Sequence, residues 1–391
     1  MFLSRNLESV VQKYAKKFRV VAIVGPRQSG KSTLVKHAFP NHKYFSLENP
    51  DVIDVIKFDP RNFLEKDYGS DGVILDEFQN EPQLLSYIQG IVDENPRPGY
   101  FILTGSHNFL MNQAITQSLA GRVAILTLLP LSLSEFKDNN IDTKDLDKIL
   151  FNGFYPEIYD KDIAPDEFYP SYIKTFVERD VRQLINVVNL SDFQKFMRLC
   201  AGRIGQALNI TSLSDDCGIS VATVKNWLSV LEASYIIFLL QPHFKNFSKR
   251  LIKSPKLYFY DAGLASWLLK INSSEQLSDH YLKGGLFETL IISELHKNSY
   301  NAGKDPNLYF WRDLRGLEVD CIIEDSQKLI PIEIKSGKTI NSSFWENLHE
   351  WCDISETPYS ESYIVYAGNE SQNRSLGNIV SWKNIDDIIS R

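Results

Sequence analysis

Apolar residues in the first third of the chain come in short unbroken runs. RVVAIVG (19–25), KYFSLE (43–48), GVILDE (72–77), YFILTGS (100–106) and VAILTLLPL (123–131) each read as a strand buried on both faces. Helix-like stretches separate them, which is the succession of a parallel α/β sheet. The leading MFLSRNLESVVQKY reads as an amphipathic helix, with Arg5 and Glu8 where a secretion signal would carry its apolar core. From about residue 131 the pattern turns helical, in LSLSEFKDN and YIKTFVERDVRQLINVV. Residues 201–254 hold two short helical segments and an apolar hairpin, and from 255 onward helices and strands mix.

A chain of 391 residues exceeds one hydrophobic core, so several domains are expected. A net charge of -7 gives no global signature of nucleic-acid binding, although a local basic patch remains compatible with it. Four widely spaced cysteines fit neither a disulfide framework nor a zinc site and point to a reducing compartment. The longest apolar run, around YIIFLL, is far short of the roughly 20 residues that span a bilayer. A soluble, cytoplasmic protein without a membrane partner is expected.

GPRQSGKST, from Gly25 to Thr33, lies between the first strand and a helical stretch, the context that G-x-x-x-x-G-K-[ST] requires. Gly25 and Gly30 let successive backbone N–H groups turn inward around phosphate oxygens, with Pro26, Arg27, Gln28 and Ser29 forming the cradle between them. Lys31 is placed to reach the β- and γ-phosphates of ATP, Ser32 to ligate Mg²⁺, and Thr33 closes the motif at the helix start. Further on, GVILDEFQN ends an apolar strand in Asp76 and Glu77: Asp76 would hold Mg²⁺ through water and Glu77 would orient the attacking water. Thr104 and Ser106, at the end of YFILTGS, stand where a γ-phosphate sensor would sit. His107 just beyond reads as a loop residue.

GPRQSGKSTL, ILDEFQN, FILTGSHN and SLAGRVAILTLLPLSLSEF resemble the prokaryotic AAA-type ATPases fused to a C-terminal domain of unknown function. YIKTFVERDVRQL and the C-terminal motifs extend the resemblance over essentially the whole chain. The resemblance implies an arginine sensor or finger, for which Arg122 and Arg179 are both candidates; a finger acting in trans would tie hydrolysis to homo-oligomerisation.

LNITSLSDDCGISVATVKNWLSVLEASYIIFLLQPH has the form of a winged helix-turn-helix. Gly218 makes its turn, and Ser220 caps a second helix with Val221, Val224, Leu228 and Leu231 inward. Thr223, Lys225 and Asn226 then face solvent, as reading residues of a DNA-binding helix do. PHFKNFSKRLIKSPK follows with five Lys/Arg, ending at Lys256, and with Phe244 and Phe247 interleaved, a candidate phosphate-contacting wing. The same module also serves purely for packing in ATPases, and both readings stand.

In LIPIEIKSG, Glu333 and Lys335 project from one strand face. Upstream, LEVDCII alternates, with Val319, Cys321 and Ile323 on one face and Asp320 and Ile322 on the other, and a short turn brings Asp320 beside Glu333. Glu288 lies on the amphipathic GGLFETLIISELHKN. The set Glu288, Asp320, Glu333 and Lys335 resembles the PD-(D/E)xK nuclease fold, which implies Mg²⁺ on the acidic residues and DNA cleavage assisted by the lysine. A wet-face ion pair, and a fold that binds without cutting, are the alternatives.

The expected architecture is α/β: a P-loop AAA-type ATPase domain with a parallel sheet (1–135), a helical lid (136–200), a winged helix-turn-helix (201–254) and a PD-(D/E)xK nuclease-like α/β domain (255–391). The expected function is ATP-dependent DNA processing or a nucleotide-dependent switch.

Overall fold

The computed structural model describes residues 2–66, 71–106, 115, 118–181, 190–243, 252–325 and 328–389, apart from the side chains of 178–180 and 389. The chain divides into two compact units. The first comprises 1–131 with the short segments 233–235 and 300–304, and the second comprises the remainder.

The first unit is built on five parallel strands: β1 (Val20–Gly25), β2 (Lys43–Ser46), β3 (Val73–Asp76), β4 (Phe101–Ser106) and β5 (Val123–Thr127), in the order β2-β3-β4-β1-β5. Successive residues of β1 point into two different cores. Val20, Ala22 and Val24 pack with Val73, Leu75, Phe101, Leu103 and the helix Leu84–Glu94. Val21 and Ile23 pack with Ile74, Ile102, Leu126 and the helices Leu7–Ala15 and Lys31–Ala38. This double burial is why the strands are continuously apolar. At roughly 1.5–3 kcal/mol for each fully buried aliphatic side chain, β1 is firmly held between the two cores.

In the second unit, β6 (Ile237–Pro242), β7 (Lys256–Phe259), β8 (Leu308–Arg312), β9 (Glu318–Asp325), β10 (Lys328–Lys335), β11 (Tyr363–Tyr366), β12 (Gln372–Arg374) and β13 (Gly377–Ser381) form one sheet. Its order is β12-β13-β11-β10-β9-β8-β6-β7. β8, β9 and β10 form an antiparallel meander preceded by the helix Lys283–Asn301. The helix Glu346–Ser355 then leads to β11, which pairs parallel with β10. β6 and β7 lie on either side of residue 254, so the sheet runs continuously across that position.

The helices Ile210–Cys217 and Val221–Ala233 flank a left-handed Gly218 with φ 75°. Ser220 accepts a hydrogen bond from the Thr223 N–H at 3.1 Å. Val224, Leu228 and Leu231 are buried as expected, but Val221, in the first turn, is exposed and Trp227 is buried. The strand alternation expected around Asp320 is also broken. Tyr309 pairs with Ile322 and Trp311 with Val319, so three steps on β9 face two on β8. This bulge lets Val319 and Ile322 enter the same core, and it turns Cys321 toward the carboxylates around Asp320.

Candidate functional site

The loop after β1 takes the backbone shape its glycines permit. Gly25 has φ 150° and Gly30 φ 92°, and Gln28 is left-handed at φ 58°. A Cβ at Gly25 would lie 2.1 Å from the Leu128 carbonyl oxygen, so no other residue fits there. Lys31, almost fully buried, donates from Nζ to the carbonyls of Gly25 (3.1 Å) and Pro26 (2.7 Å). The buried Ser29 hydroxyl has no hydrogen-bond partner among the described residues. Arg5 fastens the loop from behind, donating to the carbonyls of Ser29 (2.5 Å) and Leu129 (2.7 Å). Its burial was invisible in the sequence pattern, which used Arg5 only as a charge that breaks a secretion signal's apolar core.

Asp76, at the end of β3, gathers donors from three directions. Ser32 Oγ lies 3.0 Å from Oδ1, Tyr44 Oη 2.5 Å from Oδ2, and the Thr104 hydroxyl also donates to Oδ1. Thr104 is therefore turned to the aspartate rather than to a phosphate. Burial, followed by the carboxylate of Asp76, pushes the Tyr44 phenol well above its ordinary pKa, so it stays a donor. Glu77 is left-handed at φ 56° and accepts from Gln79 Nε2, which also reaches Ser106 Oγ at 3.1 Å. Gln79 and Tyr44 are additions that motif spacing could not supply. Ser32 and Asp76 present the adjacent hard oxygens that Mg²⁺ prefers, and the partnerless Ser29 hydroxyl and left-handed loop suit a phosphate.

Arg122 does not join this site. Its carbonyl accepts from Val20 N at the start of β1, whereas the loop follows the end of that strand. Six strand residues, roughly 20 Å, separate them. The guanidinium is bidentate to Asp93, at 2.6 and 2.7 Å. As placed, Arg122 is engaged by Asp93 and stands away from the loop of its own chain. The side chain of Arg179, His107, and the basic stretch with Phe244 and Phe247 lie outside the described residues.

In the second unit, Asp320 Oδ2 accepts from the Ile334 N–H at 2.8 Å, and Lys335 Nζ lies 2.5 Å from Glu333 Oε1. Burial raises the Glu333 carboxyl to about 8, with Asp320 adding to the rise and Lys335 opposing it. Glu288, also raised by burial, to about 7, accepts from Tyr258 and Lys256. The hairpin and helix thus bring Glu288, Asp320, Glu333 and Lys335 into one electrostatic cluster.

Lys256 alters what that cluster can hold. Instead of joining a basic wing, it is buried, with Nζ 2.5 Å from Glu318 Oε1, 3.1 Å from Glu288 Oε1 and 4.0 Å from Asp320 Oδ1. Among the described residues no three His, Cys, Asp or Glu side chains are arranged to hold a metal ion. As placed, the acidic residues fit an ammonium and not a divalent cation.

The AAA domain family matches residues 17–137, and two families described only as domains of unknown function, DUF8612 and DUF4143, match 143–275 and 283–385. Together with the loop and the acidic strand end, this defines a P-loop ATPase of AAA type. The chain is 30% identical over 328 residues to the uncharacterized proteins Rv2008c of Mycobacterium tuberculosis and Mb2031c of Mycobacterium bovis. The alignment covers 82% of this chain and 71% of each of theirs, and the chain belongs to their family. Among solved structures, the Walker-type ATPase of Pyrococcus abyssi is 14% identical at a TM-score of 0.46, over 68% of this chain and 96% of that one. The RuvB Holliday junction branch migration motor of Thermotoga maritima, also 14% identical, gives 0.28 over 59% and 86%. Likenesses that weak specify nothing beyond the geometry itself. No helix among the described residues is long and apolar enough to cross a membrane.

Proposed function

We propose that this protein binds ATP with Mg²⁺ on the loop Gly25–Thr33, hydrolyses it, and uses the nucleotide state to switch its C-terminal half. The observation that carries this is the meeting of Ser32 and Asp76 at 3.0 Å beneath a loop whose lysine is already buried. Lys31 would leave the carbonyls of Gly25 and Pro26 for the β- and γ-phosphates. Ser32 and Asp76 would hold Mg²⁺, which neutralises charge on the phosphates when bound. Glu77, steadied by Gln79, would orient water for attack, with Ser106 near the γ-phosphate. Arg122 would have to give up Asp93 to act on a neighbouring copy.

For the C-terminal half, the helix-turn-helix around Gly218 and the β6–β7 pair support a winged helix-turn-helix reading. Its exposed Lys225 and Asn226, beside the half-buried Thr223, would touch DNA. The order helix, three antiparallel strands, helix and parallel strand supports the nuclease-like reading of the sheet. The position of Lys256 favours a domain that binds without cutting. Incubating the protein with plasmid and single-stranded DNA, with Mn²⁺ and with or without ATP, tests the choice. Retention of DNA without cleavage supports the switch, and cleavage abolished by Asp320→Ala would overturn it.

A further inference from the structure

Glu288, Glu318, Asp320 and Glu333 lie close together, and the group that answers three of them is the ammonium of Lys256. A lysine this buried is uncommon unless paired, because its charge is costly to remove from water. Its Nζ carries three donors and no acceptor, and two of them are accounted for by Glu288 Oε1 and Glu318 Oε1. Tyr258 donates to the same Glu288 oxygen, Arg312 sits 3.2 Å from the other oxygen of Glu318, and Asp320 Oδ2 is taken by the Ile334 N–H. One oxygen of the set, Glu333 Oε2, is buried with no partner among the described residues.

The backbone holds the lysine in place. Lys256 pairs with Leu240 of β6 on one side and bridges Ala207 on the other. The Leu208 N–H donates to Pro255, and the Gly205 N–H donates to Leu257, at 2.8 and 2.9 Å. With both flanks tied, the backbone at Lys256 is fixed and its side chain starts from a buried position. A divalent ion would need oxygens at about 2.0–2.6 Å, in the space Nζ occupies and against its positive charge.

We propose that Lys256 is a resident cation which stands where a divalent metal would sit among Glu288, Glu318 and Asp320, so that this site works as a metal-independent element. The inference rests on the nuclease-like reading of the sheet and deepens it. It implies that the acidic cluster is a lock joining β7, the helix Lys283–Asn301 and β9, and that removing one amine would uncover a latent metal site.

The test is Mn²⁺ binding, followed by the electron paramagnetic resonance of the free ion. Full-length protein is used with Asp76→Asn throughout, to silence the nucleotide site. With Lys256 intact the cluster should take up no Mn²⁺, and Lys256→Met should gain one equivalent that Asp320→Asn then removes. Lys256→Arg, which keeps the charge, should gain none. Uptake with Lys256 intact that Asp320→Asn abolishes would overturn the resident-cation proposal while leaving the nuclease-like reading standing. A folded Lys256→Met that gains no Mn²⁺ would overturn both. If Lys256→Met is too unstable to titrate, Mn²⁺ should raise its unfolding midpoint more than it raises that of Lys256→Arg; equal shifts would overturn the proposal.

Discussion

The Ser32 hydroxyl lies 3.0 Å from an Asp76 carboxylate oxygen although 44 positions separate the two residues along the chain. The sheet order explains the meeting. β3 and β1 flank β4, and because all three are parallel their C-terminal ends open on one edge. Tyr44 from β2 and Thr104 from β4 reach the same aspartate. Four strands therefore fix one carboxylate beside the phosphate loop, a degree of preorganisation that suits transition-state charge stabilisation.

If this edge binds MgATP, the residues should separate into two kinetic groups. Lys31→Ala and Asp76→Asn should each lower ATP turnover by roughly 10²-fold or more, with weaker nucleotide binding in Lys31→Ala. Glu77→Gln should keep binding while losing roughly 10²–10⁴-fold in turnover, because it removes only the group that handles the water. Nucleotide titration and phosphate release measured on the same preparations check the division.

Gly25→Ala should destroy the loop without touching a charged group. The added methyl would meet the Leu128 carbonyl oxygen at 2.1 Å, and the backbone there is at φ 150°. Relief requires moving either β1 or the segment after β5, so ATP binding should fall at least as far as in Lys31→Ala. Isothermal titration with ATP decides it, and unchanged affinity would mean that the loop tolerates a rearranged backbone.

Stability should also depend on pH through His296, which packs on Phe238 at 4.3 Å between ring centroids. Burial lowers its pKa to about 3 from an ordinary 6.5. The unfolded chain thus binds a proton below pH 6.5 that the folded chain refuses until about pH 3. Stability is complete above that window and declines as pH falls through it, at up to about 1.4 kcal/mol per pH unit. His296→Leu should flatten this part of the acid limb in denaturant titrations at several pH values.

The β-strands of the first unit were legible because burial on both faces leaves only apolar residues, and the loop was legible because its chemistry requires fixed residues at fixed spacing. Arg5, Tyr44 and Gln79 gave no such signal. Each owes its role to a partner far away in sequence or to a local turn, and a polar residue near a strand reads the same whether it faces solvent or a carboxylate. Asp320, Glu333 and Lys335 were legible as a pattern, but the bulge that reorients Cys321 was not, since one extra residue in β9 leaves composition unchanged. Lys256 was misread for a definite reason. A run of Lys and Arg looks like a wet basic face, and only the pairing of β7 turns its last member inward.

The buried pair Glu294–Lys297 offers a test of the second unit that does not involve its acidic cluster. The two side chains are 0% and 1% exposed, with Lys297 Nζ 2.7 Å from Glu294 Oε1. Glu294 Oε2 accepts from the Leu133 N–H at 2.7 Å, and Nζ also lies 3.7 Å from the centre of the Phe154 ring. Burial raises the Glu294 pKa, and the Lys297 ammonium and the Leu133 N–H oppose the rise. Lys297→Met leaves an unpaired charge in the interior and should cost about 3–5 kcal/mol in the unfolding of this unit. Adding Glu294→Gln should recover much of that loss, because the amide keeps an acceptor for Leu133 without the charge. The single variant should also regain stability as pH falls, since a protonated Glu294 no longer needs its partner. Equal destabilisation of the single and double variants at every pH would show that Lys297 acts through packing on Phe154 instead.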